Sequence, residues 1–192
     1  MLRRQGYNIF IGSFAALASY ALFHMVTIFP LSWISFNESQ SIHDVLGVQL
    51  AGAVLAVFGT IASGWIADRI GKRTTVALLA CLIGVFALFT PMLLDGSPIQ
   101  QDAFILIGFA LLGVSYGQAA GTVTTNFERR FRYTGAALTS DFAWLFGAAF
   151  APLVALGLSA NFGLAYVSVY LLSGVVCTLL ALRINKSLEA SD

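Results

Sequence analysis

Six long apolar runs, separated by short polar segments, constrain this chain more than any other feature. The sequence has 192 residues, of which 58% are hydrophobic and 10% are charged, and its mean hydropathy is +0.85. A water-soluble domain of this length needs far more polar surface. A helix crosses a bilayer with about 20 apolar residues. The pattern therefore predicts an all-α membrane protein with spans at about 8–36, 45–67, 74–94, 103–125, 133–159 and 164–182.

The distribution of charge predicts how these spans are oriented. All ten basic residues lie at the N-terminus, in the second or fourth loop, or in the C-terminal tail: Arg3, Arg4, Arg69, Lys72, Arg73, Arg129, Arg130, Arg132, Arg183 and Lys186. The charged residues of the first and third loops are all acidic: Glu38, Asp44, Asp95 and Asp102. Basic residues are enriched in cytoplasmic loops. We therefore expect both termini to face the cytoplasm.

Composition also excludes several function classes. A net charge of +1 argues against a nucleic-acid partner. Cys81 and Cys177 lie inside apolar runs, where they are expected to act as small hydrophobes and not as a disulfide or metal pair. The sequence has no Gly-x-Ser-x-Gly or His-Glu-x-x-His pattern and no paired intramembrane aspartates, so we expect no enzyme activity and no cofactor. No cleavable signal peptide is expected, because the first apolar run is long and lacks a small-residue cleavage site.

The segment 64–73, Gly-Trp-Ile-Ala-Asp-Arg-Ile-Gly-Lys-Arg, is the densest group of charges in the chain. Such a group cannot lie in hydrocarbon, so it is predicted to form a water-facing loop between two spans. Gly64 is expected to allow close helix packing, and Gly71 to supply a positive φ for the chain reversal. Two interpretations stay open. The loop either fixes orientation only, or it also places Asp68 at the N-terminus of a neighbouring helix.

This loop resembles the signature between the second and third helices of each half of a major facilitator superfamily transporter. The residues that fill the pattern are Gly64, Asp68, Arg69, Gly71, Lys72 and Arg73, with Lys72 where arginine is commoner. The resemblance implies a gating latch, in which these charges bind neighbouring helices on the cytoplasmic side in one conformation and release them in the other.

A second segment indicates which half is present. Residues 126–138 resemble the loop before the eleventh helix of bacterial metabolite:proton symporters, the family of shikimate, α-ketoglutarate and proline/betaine carriers. Glu128 replaces a proline of that pattern, and residues 151–153, Ala-Pro-Leu, also match. The resemblance implies a single six-span domain over residues 1–192, built as two inverted three-helix repeats. It corresponds to the C-terminal half of the fold, with the N-terminal half absent. The second cytoplasmic loop would then carry Arg129, Arg130 and Arg132.

Asp141 is the strongest candidate for chemistry, because it is the charged residue placed deep within a span. It lies about 12 Å along its helix from Tyr133, near the bilayer centre. A carboxylate at that depth normally faces a cavity or a partner. It either carries a coupling proton or ties two helices together as a hydrogen-bonded group. The other candidates for a proton and solute pathway are His24, which could pair with Asp141, and Gln118, Tyr20, Tyr116 and Gln49.

Small residues predict where the helices pack closely. Gly113, Gly117 and Gly121 recur every four residues on the fourth span. The second span carries a matching row: Ala56, Thr60, Gly64 and Asp68. Such seams are common in membrane packing and could also allow helices to slide during gating.

Two functions remain open at this stage. The first is secondary active transport of a small organic acid or zwitterion across a bacterial inner membrane, coupled to protons by alternating access. A separate six-span N-terminal half or a second copy would then be a partner, besides the lipid bilayer. The second is a truncated remnant without activity, since a path between two halves cannot close with one half.

Overall fold

The computed structural model describes residues 2–37, 39–124, 127 and 132–184. Within them the chain forms helices α1 (Leu2–Ala15), α2 (Leu17–Thr27), α3 (Phe29–Asn37), α4 (Ile42–Ile70), α5 (Lys72–Leu94), α6 (Pro98–Thr124), α7 (Arg132–Gly147), α8 (Ala151–Phe162) and α9 (Leu164–Ile184). Six stretches of these helices are long and apolar enough to cross a membrane: Leu17–Asn37, Ile42–Ile70, Lys72–Leu94, Pro98–Ala119, Arg132–Phe162 and Leu164–Ile184. The predicted all-α class with six spans is confirmed.

The first span is not the single helix that the sequence predicted. The chain breaks at Ala16 and again at Ile28, two residues before Pro30. Proline has no N–H, so the carbonyl four residues earlier, that of Val26, loses its helical donor. The Gln49 amide of α4 replaces it, donating to the carbonyls of Thr27 at 2.7 Å and Val26 at 3.5 Å. The kink expected near Pro30 is therefore present, and a side chain from another helix stabilises it.

The other two breaks are satisfied in the same way. At Ala16, the Thr178 hydroxyl of α9 accepts from the Ala18 N–H at 3.0 Å and donates to the Phe14 carbonyl at 3.1 Å. The fifth span is interrupted between α7 and α8, where the Tyr170 hydroxyl donates to the Gly147 carbonyl at 3.1 Å. Unpaired backbone groups are costly in lipid, so each break depends on its neighbouring helix.

Tight turns join α4 to α5 and α8 to α9. Gly71 has φ of +82°, and Gly163 has φ of +87°. Side chains with a Cβ avoid this region, so both positions favour glycine. The turn predicted at Gly71 is confirmed, and the loop 64–73 proves to be mainly the last two turns of α4, one turn residue and the start of α5.

α4 and α6 lie against each other along a seam of small residues. A Cβ added to Gly113 would collide with the backbone of Ala56, and one added to Gly117 would lie 2.6 Å from the Ser63 hydroxyl oxygen. The Thr60 hydroxyl donates to the Gly113 carbonyl at 3.1 Å. The predicted glycine stripe on α6 therefore contacts α4 at Gly113 and Gly117. The surroundings of position 121 lie outside the described residues.

The row predicted on α4 is wrong at the C-terminal end of that helix. Gly64 and Asp68 are exposed, and a Cβ at Gly64 would meet no atom within 4 Å. The seam instead continues through Ser63 and Ala67, which are buried. A strict four-residue spacing drifts around a helix that has 3.6 residues per turn, which moves the later positions of the row away from α6.

The helices differ in how much surface they bury. Large buried side chains of α2, α3, α5, α6 and α9 form the main core, including Leu22, Phe29, Ile83, Phe104 and Leu171. In the most apolar window of α4 only 11% of residues are buried, and in α7–α8 33%, against 44% to 56% for the other spans. α4 and α7–α8 therefore present the open faces of the bundle.

Candidate functional site

Five aromatic rings from three helices meet where α2, α6 and α7 pack together. They are contributed by Tyr20, Phe23 and His24 of α2, Tyr116 of α6 and Trp144 of α7. Trp144 lies at the centre, with ring centroids 5.3 Å from Tyr20, 5.1 Å from Phe23 and 5.8 Å from His24. Tyr116 lies 5.5 Å from Tyr20 and 6.1 Å from Phe23. These spacings are typical of tilted and edge-to-face aromatic pairs. We call this group the aromatic cluster.

Small residues on α7 place Trp144 there. Gly135, Thr139, Ala143 and Gly147 are buried and recur every four residues. Gly147 packs on Leu17 and Tyr20, and the Thr139 carbonyl accepts a hydrogen bond from the Ser13 hydroxyl at 3.0 Å. This face holds α7 close to α1 and α2, so that Trp144, beside Ala143, reaches the rings of α2.

Asp141 lies on another side of the same helix. Asp141 is two positions after Thr139, and each position turns the helix by about 100°, so its side chain points away from the buried face. The residue is exposed in the six-span bundle, so its carboxylate is not enclosed between the helices of this chain. The Tyr20 hydroxyl lies near the side chains of Ser140 and Tyr116. Asp141 precedes Trp144 by three residues, so it lies on the open face of α7 about one helical turn from the aromatic cluster.

The pair predicted between His24 and Asp141 is not formed through Nδ1 of the histidine. That atom is buried and has no hydrogen-bond partner among the described residues. The ring is instead in contact with Phe23 and Trp144. His24 follows Tyr20 by one turn on α2, and Trp144 follows Asp141 by one turn on α7. Because His24 contacts Trp144, it lies about one helical turn from Asp141 along the axis of α7.

Two of the predicted pathway residues hold helices together. Gln118 is buried and donates to the Ser63 hydroxyl at 3.2 Å, across the seam of α4 and α6. Gln49 donates to the carbonyls at the break between α2 and α3. Neither belongs to the aromatic cluster. Tyr20 and Tyr116, by contrast, are in contact within the cluster, with ring centroids 5.5 Å apart.

A cavity of about 250 Å³ adjoins the cluster between α2, α4 and α6. Its lining includes Phe23, Tyr116, Thr27, Thr60 and Phe109. Both threonine hydroxyls donate to backbone carbonyls. Thr27 donates to Phe23 at 2.7 Å, and the single proton of Thr60 is shared between Ala56 at 2.9 Å and Gly113 at 3.1 Å. Because these donors are engaged, the cavity offers mainly ring faces and methyl groups.

The residues of the loop signature have separate environments. Arg73 of α5 donates to the Leu182 carbonyl of α9 at 3.0 Å, which ties the start of α5 to the end of α9. The Arg69 guanidinium lies 4.0 Å from the ring centroid of Trp65. Asp68 is exposed and forms no ion pair within the part of the chain that the structure describes. Lys72 is half-buried as the first residue of α5.

The second basic loop is described only at its end. Arg129 and Arg130 lie outside the described residues, whereas Arg132 begins α7 and is exposed. Phe127 is buried against Gly135, where an added Cβ would lie 2.6 Å from its ring. This contact holds Phe127 against the first turn of α7.

Sequence reasoning missed three members of the site. Phe23, Trp144 and Ser140 carry no signal by themselves in an apolar chain, because aromatic and small residues are common in every span. The usable signal was helical spacing. Trp144 follows Asp141 by three residues, which places both on one side of α7, whereas Phe23 and Ser140 are only sequence neighbours of His24 and Asp141.

The chain is similar to bacterial transport proteins. It is 33% identical over 181 residues to the inner membrane metabolite transport protein YhjE of Escherichia coli K12. This alignment covers 91% of the present chain and 41% of the relative. Two putative metabolite transport proteins of Haemophilus influenzae are 30% and 32% identical, with 95% and 90% of this chain and 44% and 41% of the relatives aligned. No protein-family model matches the chain, and no solved structure is significantly similar to it.

These similarities confirm the predicted resemblance to metabolite transport proteins. The chain spans less than half of the length of these curated relatives, which is consistent with the C-terminal half of a major facilitator superfamily transporter. The relatives are named as transport proteins and not as enzymes, in agreement with the expectation of a non-enzymatic chain. Six apolar spans and an inner membrane relative support a multi-pass protein of the inner membrane.

Proposed function

We propose that this chain is one half of a secondary active transporter that moves a small organic solute across the inner membrane by alternating access. The observation that carries the proposal is the position of Asp141. An ionisable group is exposed on the open face of a spanning helix, three residues before Trp144 of the aromatic cluster. Charge at that depth is costly in lipid, so the open face is suited to an aqueous path or a second half.

Asp141 is proposed to carry the coupling proton. A carboxylate that alternates between a wetter and a drier environment changes its affinity for protons, because the drier environment disfavours the charged form. Its side chain is free to do this, since no hydrogen bond from the described residues holds it in one state. His24, one helical turn further along and adjacent to Trp144, would be the next group on the path.

The loop signature is proposed to act as the cytoplasmic latch. Asp68 and Arg69 are exposed at the end of α4, the least buried helix of the bundle. Arg73 is engaged within this half by the Leu182 carbonyl. The two residues would then have different roles. Arg73 stabilises this half, whereas Asp68 binds the end of a helix of the other half in one conformation only.

The arrangement that we propose has both termini in the cytoplasm and residues 1–192 as a single six-span domain. The partner would be a six-span N-terminal half, whether on a separate chain or continuous with this one, and a second copy of the chain is the remaining option. The relatives support the first, because this chain aligns with less than half of each. The alternative function is an inactive remnant, which predicts that no partner restores transport.

The test is to join this chain to the N-terminal half of one of its relatives and to measure uptake into inverted and right-side-out vesicles. The panel contains radiolabelled organic acids and zwitterions, with and without an imposed proton gradient. Accumulation that depends on the gradient and on both halves supports the proposal. If the joined protein is folded and abundant in the membrane but accumulates none of the panel above the level of either half alone, the remnant is the better account.

A further inference from the structure

We propose that a groove between α1 and α9 binds one anionic phospholipid, with an acyl chain along the groove and the phosphate at Arg183. The inference goes beyond the proposed transport function and does not depend on it. None of the residues that line the groove belongs to the aromatic cluster or to the loop signature.

The first argument is the groove itself, an open and apolar cavity of about 170 Å³. Phe10 and Phe14, whose ring centroids are 4.7 Å apart, line it along α1, and Cys177, Leu180 and Ile184 line it along α9. The α9 side runs for seven residues, which is about 10 Å of helix. An empty groove would forfeit dispersion contacts on one side, so in a bilayer an acyl chain fills it.

The second argument is the charge at the end of the groove. Arg183 follows Leu180 by three residues, so it continues the side of α9 that lines the groove, and it is exposed. The apolar run of α9 ends at Leu182, which places Arg183 at the level where a chain leaves the hydrocarbon. A guanidinium at that level can donate two parallel hydrogen bonds to phosphate oxygens.

The start of α5 adds positive charge at the same place. Arg73 donates to the Leu182 carbonyl at 3.0 Å, which brings its guanidinium to the residue before Arg183. One turn later Val76 packs in a cluster with Ile11, which also lines the groove. The C-terminal end of α9 carries a partial negative charge, but Arg73 binds one of its last carbonyls, and the N-terminal end of α5 supplies a partial positive charge.

The surroundings favour an anionic headgroup over a zwitterionic one. The sequences of α1, α5 and α9 contain no aspartate or glutamate, so no acid of these three helices repels a phosphate. The ammonium group of a phosphocholine headgroup would be repelled by Arg183 and Arg73. Each basic residue near the membrane surface attracts an anionic lipid by an amount that corresponds to about fivefold in affinity.

The third argument is that the two features lie within one helical turn of each other. A purely apolar occupant would fill the groove without using Arg183, and a small phosphate would use Arg183 without the groove. Leu180 and Arg183 share one side of α9, so a molecule that carries a phosphate on an apolar chain satisfies both. A phospholipid of the bilayer is that molecule.

The inference is tested with two lipids that have the same chains and different headgroups. Palmitoyl-oleoyl phosphatidylglycerol is anionic, and palmitoyl-oleoyl phosphatidylcholine is zwitterionic. The six-span chain is purified in a neutral detergent and titrated with each lipid, and native mass spectrometry gives the affinity for the first lipid bound. We expect phosphatidylglycerol to bind at least fivefold more tightly. Glycerophosphoglycerol, the same headgroup without chains, should not compete.

Charge variants assign the preference to Arg183. Arg183→Gln should weaken phosphatidylglycerol binding about fivefold and leave phosphatidylcholine binding unchanged. Arg132→Gln is the matched control, because it removes one exposed arginine at the start of α7, outside the groove. That variant should keep the full preference.

Groove variants test the acyl chain. Leu180→Trp should weaken the binding of both lipids, because the larger side chain occupies the groove. Leu78→Trp on α5 is its control, since Leu78 is 50% exposed, close to the 53% of Leu180, and does not line the groove. Circular dichroism checks that each variant is as helical as the parent chain. A phosphatidylglycerol with a photoactivatable acyl chain should label residues 10–14 and 177–184.

The outcomes decide the inference in either direction. Preference for phosphatidylglycerol that is lost in Arg183→Gln, kept in Arg132→Gln and accompanied by labelling of the groove supports it. Equal affinity for the two lipids, an unchanged preference in Arg183→Gln, competition by glycerophosphoglycerol, or labelling confined to other helices would each overturn it. Transport is not measured in any of these assays, so their failure leaves the proposed function untouched.

Discussion

Replacing Gly113 by alanine tests the close contact of α4 and α6, on which the position of the exposed helix depends. The added Cβ would lie 2.7 Å from the carbonyl carbon of Ala56 and closer still to its carbonyl oxygen. Carbon atoms in contact prefer about 3.5–4.0 Å. The obstacle is backbone and cannot rotate away, so the two helices must separate by about 1 Å along the seam.

The expected cost follows from two opposing terms. Overpacking a well-filled contact costs about 1–3 kcal/mol. Replacing glycine by alanine within a helix returns up to about 1 kcal/mol. Because the obstacle is backbone, the upper half of the overpacking range, about 2–3 kcal/mol, applies. After the helix gain of about 1 kcal/mol is subtracted, we expect Gly113→Ala to lower the free energy of unfolding by about 1–2 kcal/mol. It should also weaken the hydrogen bond from Thr60 to the Gly113 carbonyl, because that bond spans the same contact.

The measurement is unfolding of the purified chain in mixed maltoside and dodecyl sulfate micelles, followed by circular dichroism. Gly64→Ala on α4 is the matched control, since its Cβ would enter open space. That variant should be unchanged or slightly more stable. If Gly113→Ala unfolds at the same detergent ratio as the parent, or if both variants lose stability equally, the reasoning about the seam is wrong.

Three further predictions concern orientation, the latch and the break in the first span. A reporter active only in the cytoplasm should work after Arg73 and after Asp192 and fail at Ser97, because all the basic loops lie on one side; a cytoplasmic signal at Ser97 would reverse the topology. In a joined transporter, Asp68→Asn should lower the transport rate much more than membrane abundance, and unchanged uptake kinetics would reduce the loop to an orientation signal. Gln49→Leu should cost about 1 kcal/mol in the unfolding assay, since the carbonyls at the break lose their donor, whereas a neutral result would assign no stabilising role to that amide.

The sequence predicted the features that depend on local composition. Runs of apolar residues are enough to define six spans, and a glycine between charged residues is enough to define the turn at Gly71. The three breaks within spans could not be predicted fully, because each is stabilised by a residue distant in sequence. Thr178 satisfies the break at Ala16, and Tyr170 the one after Gly147. The local signals were Pro30, near the break at Ile28, and Pro152, at the start of α8.

The candidate site was predicted in part for the same reason. Tyr20, His24, Tyr116 and Asp141 were identified from their polar or ionisable groups, and the structure brings the three rings into one cluster. Gln49 and Gln118 were identified by the same criterion, yet their amides are hydrogen-bonded between helices. Amide groups serve structural bonds as readily as solute binding, so residue type could not separate these roles. Whether Asp141 faces the interior of the bundle or its open side depends on how α7 packs, and the spacing of residues in the sequence does not determine this.

The central claim is that Asp141 carries the coupling proton, and one measurement tests it most directly. The joined carrier is reconstituted in proteoliposomes, with the solute from the panel that it accumulates best. Accumulation driven by a proton gradient and exchange of internal for external solute are then measured for the parent and for Asp141→Asn. An amide resembles the protonated acid but cannot release a proton. We therefore predict that Asp141→Asn abolishes accumulation and retains exchange, whereas full accumulation by this variant would contradict the claim.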